Sequence, residues 1–293
     1  MRVLNSLGGS WRSRHFRSAA IALAIGLALS APASLVAAET DDLKVCADPN
    51  NLPFSNAVGA GFENQLAELV AGELGKHVMY TWWAQRRGFV RNTLNAGSCD
   101  VVMGVPIDYE LVETTRAYYR SSYVFVSRAD RKVDVESIKD LRLRHLKIGV
   151  HLIGSDGTNT PPAQALGQRN IVQNVVGYMI YGDYREPNPP ARLIEAVEKG
   201  DIDIAAVWGP LAGYAAKTSA VPLTIAPIAD TEDFAPLRFQ FDIAMGVRKG
   251  DHALRARLDD IIAHKQSDIR ALLANYGVPM VQTGACAPET DIR

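Results

Sequence analysis

The sequence predicts an α/β protein of two doubly wound lobes joined by two crossover strands, the second lobe inserted into the first. Three observations predict it. Short apolar runs alternate with helical stripes along most of the chain. Two such series follow one another. Two long strand patterns, near Tyr123 and Phe239, bracket the second series, and the helical stripe after them has a home only in the first lobe, which is one helix short. The expected division is a leader at 1–38, a first lobe at 39–127, an inserted lobe at 128–238, and a return strand with the final helix at 239–293.

The first series opens with a β-favouring run at 43–47. A stripe at Leu66, Leu69, Val70 and Leu74, closed by Gly75, predicts a helix over 61–74. Residues 78–82 read as strand and 88–96 as helix. Residues 100–105 form a continuous apolar strand of the kind buried on both faces of a parallel sheet, and 123–127 form another. In the second series, strands are expected at 146–150, 171–176, 202–207 and 223–226. Helices are expected after Pro161-Pro162, where proline suits a first turn, and over 191–198. A long strand at 239–247 returns. Asp251 then caps a helix striped by Leu254, Leu258, Ile261, Ile262, Ile269, Leu272 and Leu273, stopped by Gly277 and Pro279.

The leader has the pattern of a secretory signal peptide: four arginines without an acid, a small apolar run at 19–30, and Val36-Ala37-Ala38 before Glu39. The run is shorter than the roughly 20 residues that span a bilayer. Cleavage after residue 38 would remove those arginines and take the formal charge from −1 to −5. A mildly acidic exported chain does not suit nucleic acid, and no later stretch is suited to membrane insertion. Export favours disulfides. Of Cys46, Cys99 and Cys286, the first two fall on strands expected to be neighbours and are the favoured pair. Cys99 with Cys286 is the competing one.

Several chemistries lack their motifs. There is no phosphate-binding GxxxxGK[ST], no GxSxG, no HExxH and no CxxC. The histidines show no metal-ligand spacing. His145 and His151 flank one strand, and a structural or solvated role is the plainer reading of both. Asp108, Glu110 and Glu113 read as a solvated turn. No acid/base pair is positioned by motif, so no enzyme and no metal site is expected.

Ligands of open α/β sheets bind beyond the carboxyl ends of the strands. In the first lobe those ends carry Asp48 and Phe54, then Trp82, Trp83, Arg86 and Arg87, then Pro106, Asp108 and Tyr109. In the second they carry Gly154, Asn159 and Thr160, then Trp208 and Gly209. The set is aromatic with few polar handles, as small-molecule sites are. Strand alternation sends Trp82 and Trp83 to opposite faces.

The two-lobe order and the stretches "LKVCADPNNLPFS", "GFENQLAELVAGELG", "LNAGSCDVVMGV" and "FQFDIAMGVRKGD" resemble the type II periplasmic solute-binding proteins over the whole mature chain. The amino-acid binders of that group use a Thr-x-x-Arg pattern after the third strand to hold the ligand carboxylate, and an Asp in the second lobe to hold its ammonium. Here "GVPIDYELVETT" has no arginine before Arg116, and Trp208-Gly209 stands near the Asp position. An amino-acid zwitterion would lose both partners, which argues against tight binding.

A narrower resemblance rests on "YTWWAQRRGFVRNTLNAG", "YYRSSYVFVSR", "GYMIYGDYREPNPPARLIEA" and "VWGPLAGY". These are similar to the J proteins of methanol-oxidation operons. The resemblance implies a non-enzymatic periplasmic monomer that helps assemble or activate a methanol dehydrogenase dependent on pyrroloquinoline quinone (PQQ), of the calcium or the lanthanide type, with its cytochrome c as a further partner. The resemblance does not carry over what the cleft holds: no stably bound cofactor is expected, and the candidate occupants are a segment of the apo-dehydrogenase or PQQ in transit. On that reading Arg86 and Arg87 are candidate contacts for the carboxylates of PQQ. The alternative is a transport receptor, for an ABC permease, of a small solute other than an amino acid.

Overall fold

A computed structural model describes residues 42–153, 159–179 and 187–281. The leader, Gly154 and Cys286 lie outside the described residues. The first lobe is built from β1 (Asp42–Ala47), a two-residue ladder of β2 (Asn50–Asn51) and β3 (Ser55–Asn56), α1 (Phe62–Leu74), β4 (His77–Trp82), a single turn α2 (Phe89–Asn92), β5 (Val101–Pro106) and β6 (Glu113–Thr114). The strand β7 (Tyr119–Arg128) leads into the second lobe. There follow β8 (Ile148–Leu152), α3 (Pro161–Gln168), β9 (Val175–Met179), α4 (Arg192–Lys199), β10 (Ile204–Trp208), α5 (Gly209–Thr218) and β11 (Leu223–Pro227). The return strand is β12 (Gln240–Val247), followed by α6 (His252–His264) and α7 (Gln266–Asn275).

The strands run in the order β4-β1-β5-β12-β7-β10-β8-β9. β1 lies parallel between β4 and β5, with Val45 opposite Tyr80 and Cys46 opposite Val102. β12 returns antiparallel to β5 and to the first half of β7. The second half of β7 pairs antiparallel with β10 and β11, and β8 runs parallel to β10 and β9. Thus β7 and β12 are the two strands that tie the halves together.

The cores follow from the strand alternation. Leu43, Val45, Phe62 and Leu66 pack with Met245, Leu258, Ile262 and Leu273, so both C-terminal helices complete the first lobe. In the second lobe the consecutive residues Phe125 and Val126 go to opposite faces. Phe125 joins Ile148, Leu166 and Ile204, and Val126 joins Leu193, Val197 and Val207.

Four expectations are corrected. The helix expected at 88–96 is one turn, because Thr93 turns its hydroxyl onto the Phe89 carbonyl, 2.8 Å away, and polar residues of this kind favour turns over helix interiors. The final stripe is two helices, broken at Lys265. The strand expected from 171 begins at Val175, because Ile171 still closes the last turn of α3 with an N–H donated to the Leu166 carbonyl at 2.9 Å. The helix α5 is a further element: Trp208-Gly209 reads as a strand end, yet Gly209 already begins a helix with Pro210 in its first turn.

Asp251 does cap α6, its carboxylate accepting from the Leu254 N–H at 3.2 Å. The structure pairs Cys46 with Cys99 in a disulfide, Cα atoms 5.5 Å apart. Among the described residues no helix is long and apolar enough to cross a membrane.

Candidate functional site

A cavity of about 280 Å³ lies between the lobes, at the carboxyl ends of β5 and β10. Its aromatic lining comes from both halves: Phe54, Tyr119 and Tyr123, with Trp208 and Phe241. Trp208 holds the group together, its ring 5.3 Å from that of Tyr123 and 5.8 Å from that of Phe241. Phe54 and Trp208 each pack against the cores of both lobes. A polar bridge crosses beside them, where the Asn188 N–H donates to the Asn50 side-chain oxygen at 2.8 Å.

Besides the tyrosines and Trp208, five polar side chains of the described residues line the cavity: Asn51, Glu63, Gln85, His151 and Thr160. Four are accounted for. The Asn51 side-chain amide donates to Gln85 Oε1 at 3.0 Å. Thr160 donates to the His151 carbonyl at 3.0 Å. His151 Nε2 lies 3.1 Å from the Pro190 carbonyl, a hydrogen bond that only an Nε2–H tautomer makes. Burial pushes the His151 imidazole down to about 4, so near neutral pH it is uncharged.

Glu63 is the exception. It is only 9% exposed, and no donor among the described residues reaches its carboxyl group. Burial, with the charge of Asp48 adding to it, pushes its pKa up to about 8. The helix terminus would favour a carboxylate here, but loss of solvent outweighs it.

Local sequence explains how this acid comes to be buried. The turn "LPFSNAVGAGFE" folds back so that the Pro53 and Phe54 carbonyls accept from the N–H groups of Phe62 and Glu63, both at 2.8 Å. That loop caps α1 with backbone rather than a side chain and sets Phe54 and Glu63 side by side. Gly61 permits it, since a Cβ there would lie 2.0 Å from the Phe54 oxygen. Gly104 on β5 supplies the space for the carboxyl group: a Cβ there would lie 2.2 Å from Glu63 Oε1.

The residues expected at the strand ends divide. Phe54, Pro106, Thr160 and Trp208 line the cavity. Gly209 is buried at the start of α5, against Ser121 and Pro279. Asp48 is buried beneath the site and organises it: its two oxygens accept from the Asn50 and Gln85 N–H groups, each at 2.8 Å. Asn159 bridges to Leu152 at the rim.

The others lie outside the cavity wall. Trp82 stacks on Tyr80, ring centres 4.4 Å apart, on the α1 side of the sheet. Trp83 is 42% exposed, and Arg86 and Arg87 are exposed on the same turn. Tyr109 is exposed as well. Asp108 pairs with Arg238 at 2.6 Å, and that guanidinium lies over the Phe241 ring, 5.2 Å from its centre.

The strand-end reasoning missed Glu63, Tyr119, Tyr123 and Phe241. Glu63 had a signal. It stands three residues before Leu66 and seven before Val70, on the apolar stripe of α1, and an acid on a buried stripe needs a reason. Among the described lining there is no lysine and no arginine, so nothing there matches the carboxylate of an amino acid. Among the described residues no cluster of His, Cys, Asp and Glu suits a metal ion.

No family model matches the chain. Protein MoxJ of Methylorubrum extorquens AM1 is 31% identical over 294 residues, covering 90% of this chain and 96% of the relative. The chain belongs to the MoxJ family. Two solved structures agree. The periplasmic binding protein XoxJ from Methylobacterium extorquens AM1 superposes with a TM-score of 0.67 at 34% identity, over 82% of this chain and 99% of the other. MxaJ from Methlophaga aminisulfidivorans MPT gives 0.69 at 28% identity, over 82% and 100%. The fold is that of the type II periplasmic binding proteins, and within that superfamily the chain is of the MoxJ and XoxJ type.

Proposed function

We propose that this MoxJ-family chain is a periplasmic, non-enzymatic accessory of a PQQ-dependent methanol dehydrogenase. It assists assembly or activation, and its interlobe cleft takes part by holding a segment of the apo-dehydrogenase. One observation carries the reading. The cavity keeps the binding-protein position and an aromatic wall, but its described lining offers no cation to an amino-acid carboxylate. A cleft of aromatics with few charges suits a peptide segment. PQQ, with its several carboxylates, fits less well, because the ionisable side chains of the described lining other than tyrosines are Glu63 and His151.

The test is a pull-down from periplasmic extract of the native host with tagged mature protein, with and without added PQQ. Recovery of a quinoprotein dehydrogenase, alone or with its cytochrome c, is the expected result. Recovery of a permease without a dehydrogenase would return the chain to the transport receptors.

A further inference from the structure

We infer that the cavity holds an organic ammonium group, a cation with no carboxylate beside it, with Glu63 as its counter-ion and aromatic rings as its walls. The inference rests on the cleft being the working site of the protein, and it names the chemical class of the occupant.

In the described lining the side chains of Asn51, Gln85, His151 and Thr160 each make a hydrogen bond to a neighbour, and the Glu63 carboxyl group receives none from the described residues. A carboxyl group that is nine-tenths buried, borders an open cavity and receives no donor from the described residues leaves its hydrogen-bonding capacity to whatever enters. Gly104 keeps that place clear, since any side chain there would meet the carboxyl oxygen.

The rings of Tyr119, Trp208 and Phe241 line the same space. Aromatic faces attract cations, more strongly once both are desolvated, and cages of this composition recognise ammonium groups. An anion would meet no lysine or arginine of the described lining, and beyond Glu63 it would face Asp48. An amino acid would bring a carboxylate with no lysine or arginine of the described lining to receive it. The ligand that leaves nothing unpaired is an alkylammonium: a free amine, or a lysine side chain on an inserted protein segment.

The proton supplies a signature. With the cavity empty, Glu63 is protonated up to about pH 8, so a bound cation must displace that proton. Apparent affinity then rises about tenfold per pH unit from 6 to 8 and levels off above it. The titratable groups around Glu63 do not blur this window. Tyr80, Tyr118 and Tyr119 all have phenols raised above their ordinary range, and His151, across the cavity, is lowered to about 4. Asp48 lies beneath, held by two backbone N–H groups.

The experiment is calorimetric titration of the mature chain with n-butylammonium chloride, sodium butanoate, PQQ and a lysine tripeptide blocked at both ends, at pH 6, 7, 8 and 9. Saturable binding of n-butylammonium with the pH profile above, and none of butanoate, is expected. Tighter binding of the blocked tripeptide would assign the ammonium to a protein segment, and tighter binding of the free amine to a small solute. Glu63→Gln should lower ammonium affinity at pH 8 by at least tenfold and flatten the profile. Phe241→Leu should lower it several-fold and leave the profile in place. Equal affinity in wild type and Glu63→Gln would overturn the proposal. So would competitive binding of butanoate or PQQ, or no ammonium binding at 10 mM, on the order of the weakest useful affinities. None of these arms involves the dehydrogenase, so they fail or succeed independently of the pull-down.

Discussion

Glu63 enters the cavity from the first lobe and His151 from the second. Both are buried, and burial shifts each toward its uncharged form, the acid up to about 8 and the imidazole down to about 4. They differ in what they touch. His151 gives its Nε2–H to the Pro190 carbonyl, and its own carbonyl takes the Thr160 hydroxyl. It is a fixed part of the second lobe's wall. Glu63 faces the same cavity with no donor among the described residues. Two buried ionisable groups on facing walls thus have different standing: one is spent on the fold, and one is left to a ligand. Burial alone does not distinguish them; the hydrogen-bond inventory does.

The largest effect expected from this contrast is the pH dependence of stability set by Glu63. Its pKa is raised in the folded state, so between about 4.5 and 8 the folded chain binds the extra proton. The associated stability is complete below 4.5 and is lost as pH rises through 8. A shift of that size corresponds to about 5 kcal/mol at its upper bound. Glu63→Gln should therefore match wild type near pH 5 and exceed it at pH 9, read from urea midpoints. A wild-type midpoint that does not fall between pH 5 and 9 would mean that the carboxyl group finds solvent or a donor after all.

How far these groups could be read from sequence separates local pattern from assembly. The strands β1, β5, β8 and β12 announce themselves, because buried strands are short apolar runs. The Cys46–Cys99 neighbourhood followed from strand order. Phe54, Pro106, Thr160 and Trp208 were found because ligands sit at strand ends. Tyr119, Tyr123 and Phe241 were not, because they lie on the connecting strands β7 and β12, whose side chains reach the cleft only once the two halves fold together. Glu63 was hidden differently: it looked like an ordinary acid in a helix's first turn, and only the loop capping of α1 by Pro53 and Phe54 reveals that this turn is inside. The tryptophan pair misled in the other direction. Alternation does separate the two side chains, but the cleft lies on neither side of that edge strand.

His151 sharpens the contrast with a smaller effect of opposite sign. Its pKa is lowered in the folded state, so its contribution is complete above about 6.5 and is lost as pH falls through 4. The shift corresponds to about 3 kcal/mol. His151→Gln keeps a donor for Pro190 and removes the titration. It should hold its stability between pH 6.5 and 4 better than wild type, whereas Glu63→Gln, which removes the opposing gain that Glu63 makes as pH falls from 8 to 4.5, should lose stability more steeply than wild type over 6.5 to 4.5. If both variants changed this limb in the same direction, the opposite signs assigned to the two walls would be wrong and the distinction between them would fail.

The smallest effect is expected at the feature most conspicuous in the sequence. Trp83 is exposed on the turn that carries Arg86 and Arg87, and it does not line the cavity. Substitutions at exposed positions of this kind shift stability by about 0.5 kcal/mol or less. Trp83→Ala should leave the urea midpoint and the ammonium affinity within error of wild type. A loss of ammonium affinity in Trp83→Ala, with stability intact, would draw this turn into the cleft, and the wall of the site would then extend past Gln85 to the edge of the sheet. Unchanged affinity would leave Trp83 and the turn that carries it as outer surface, apart from the cavity and its occupant.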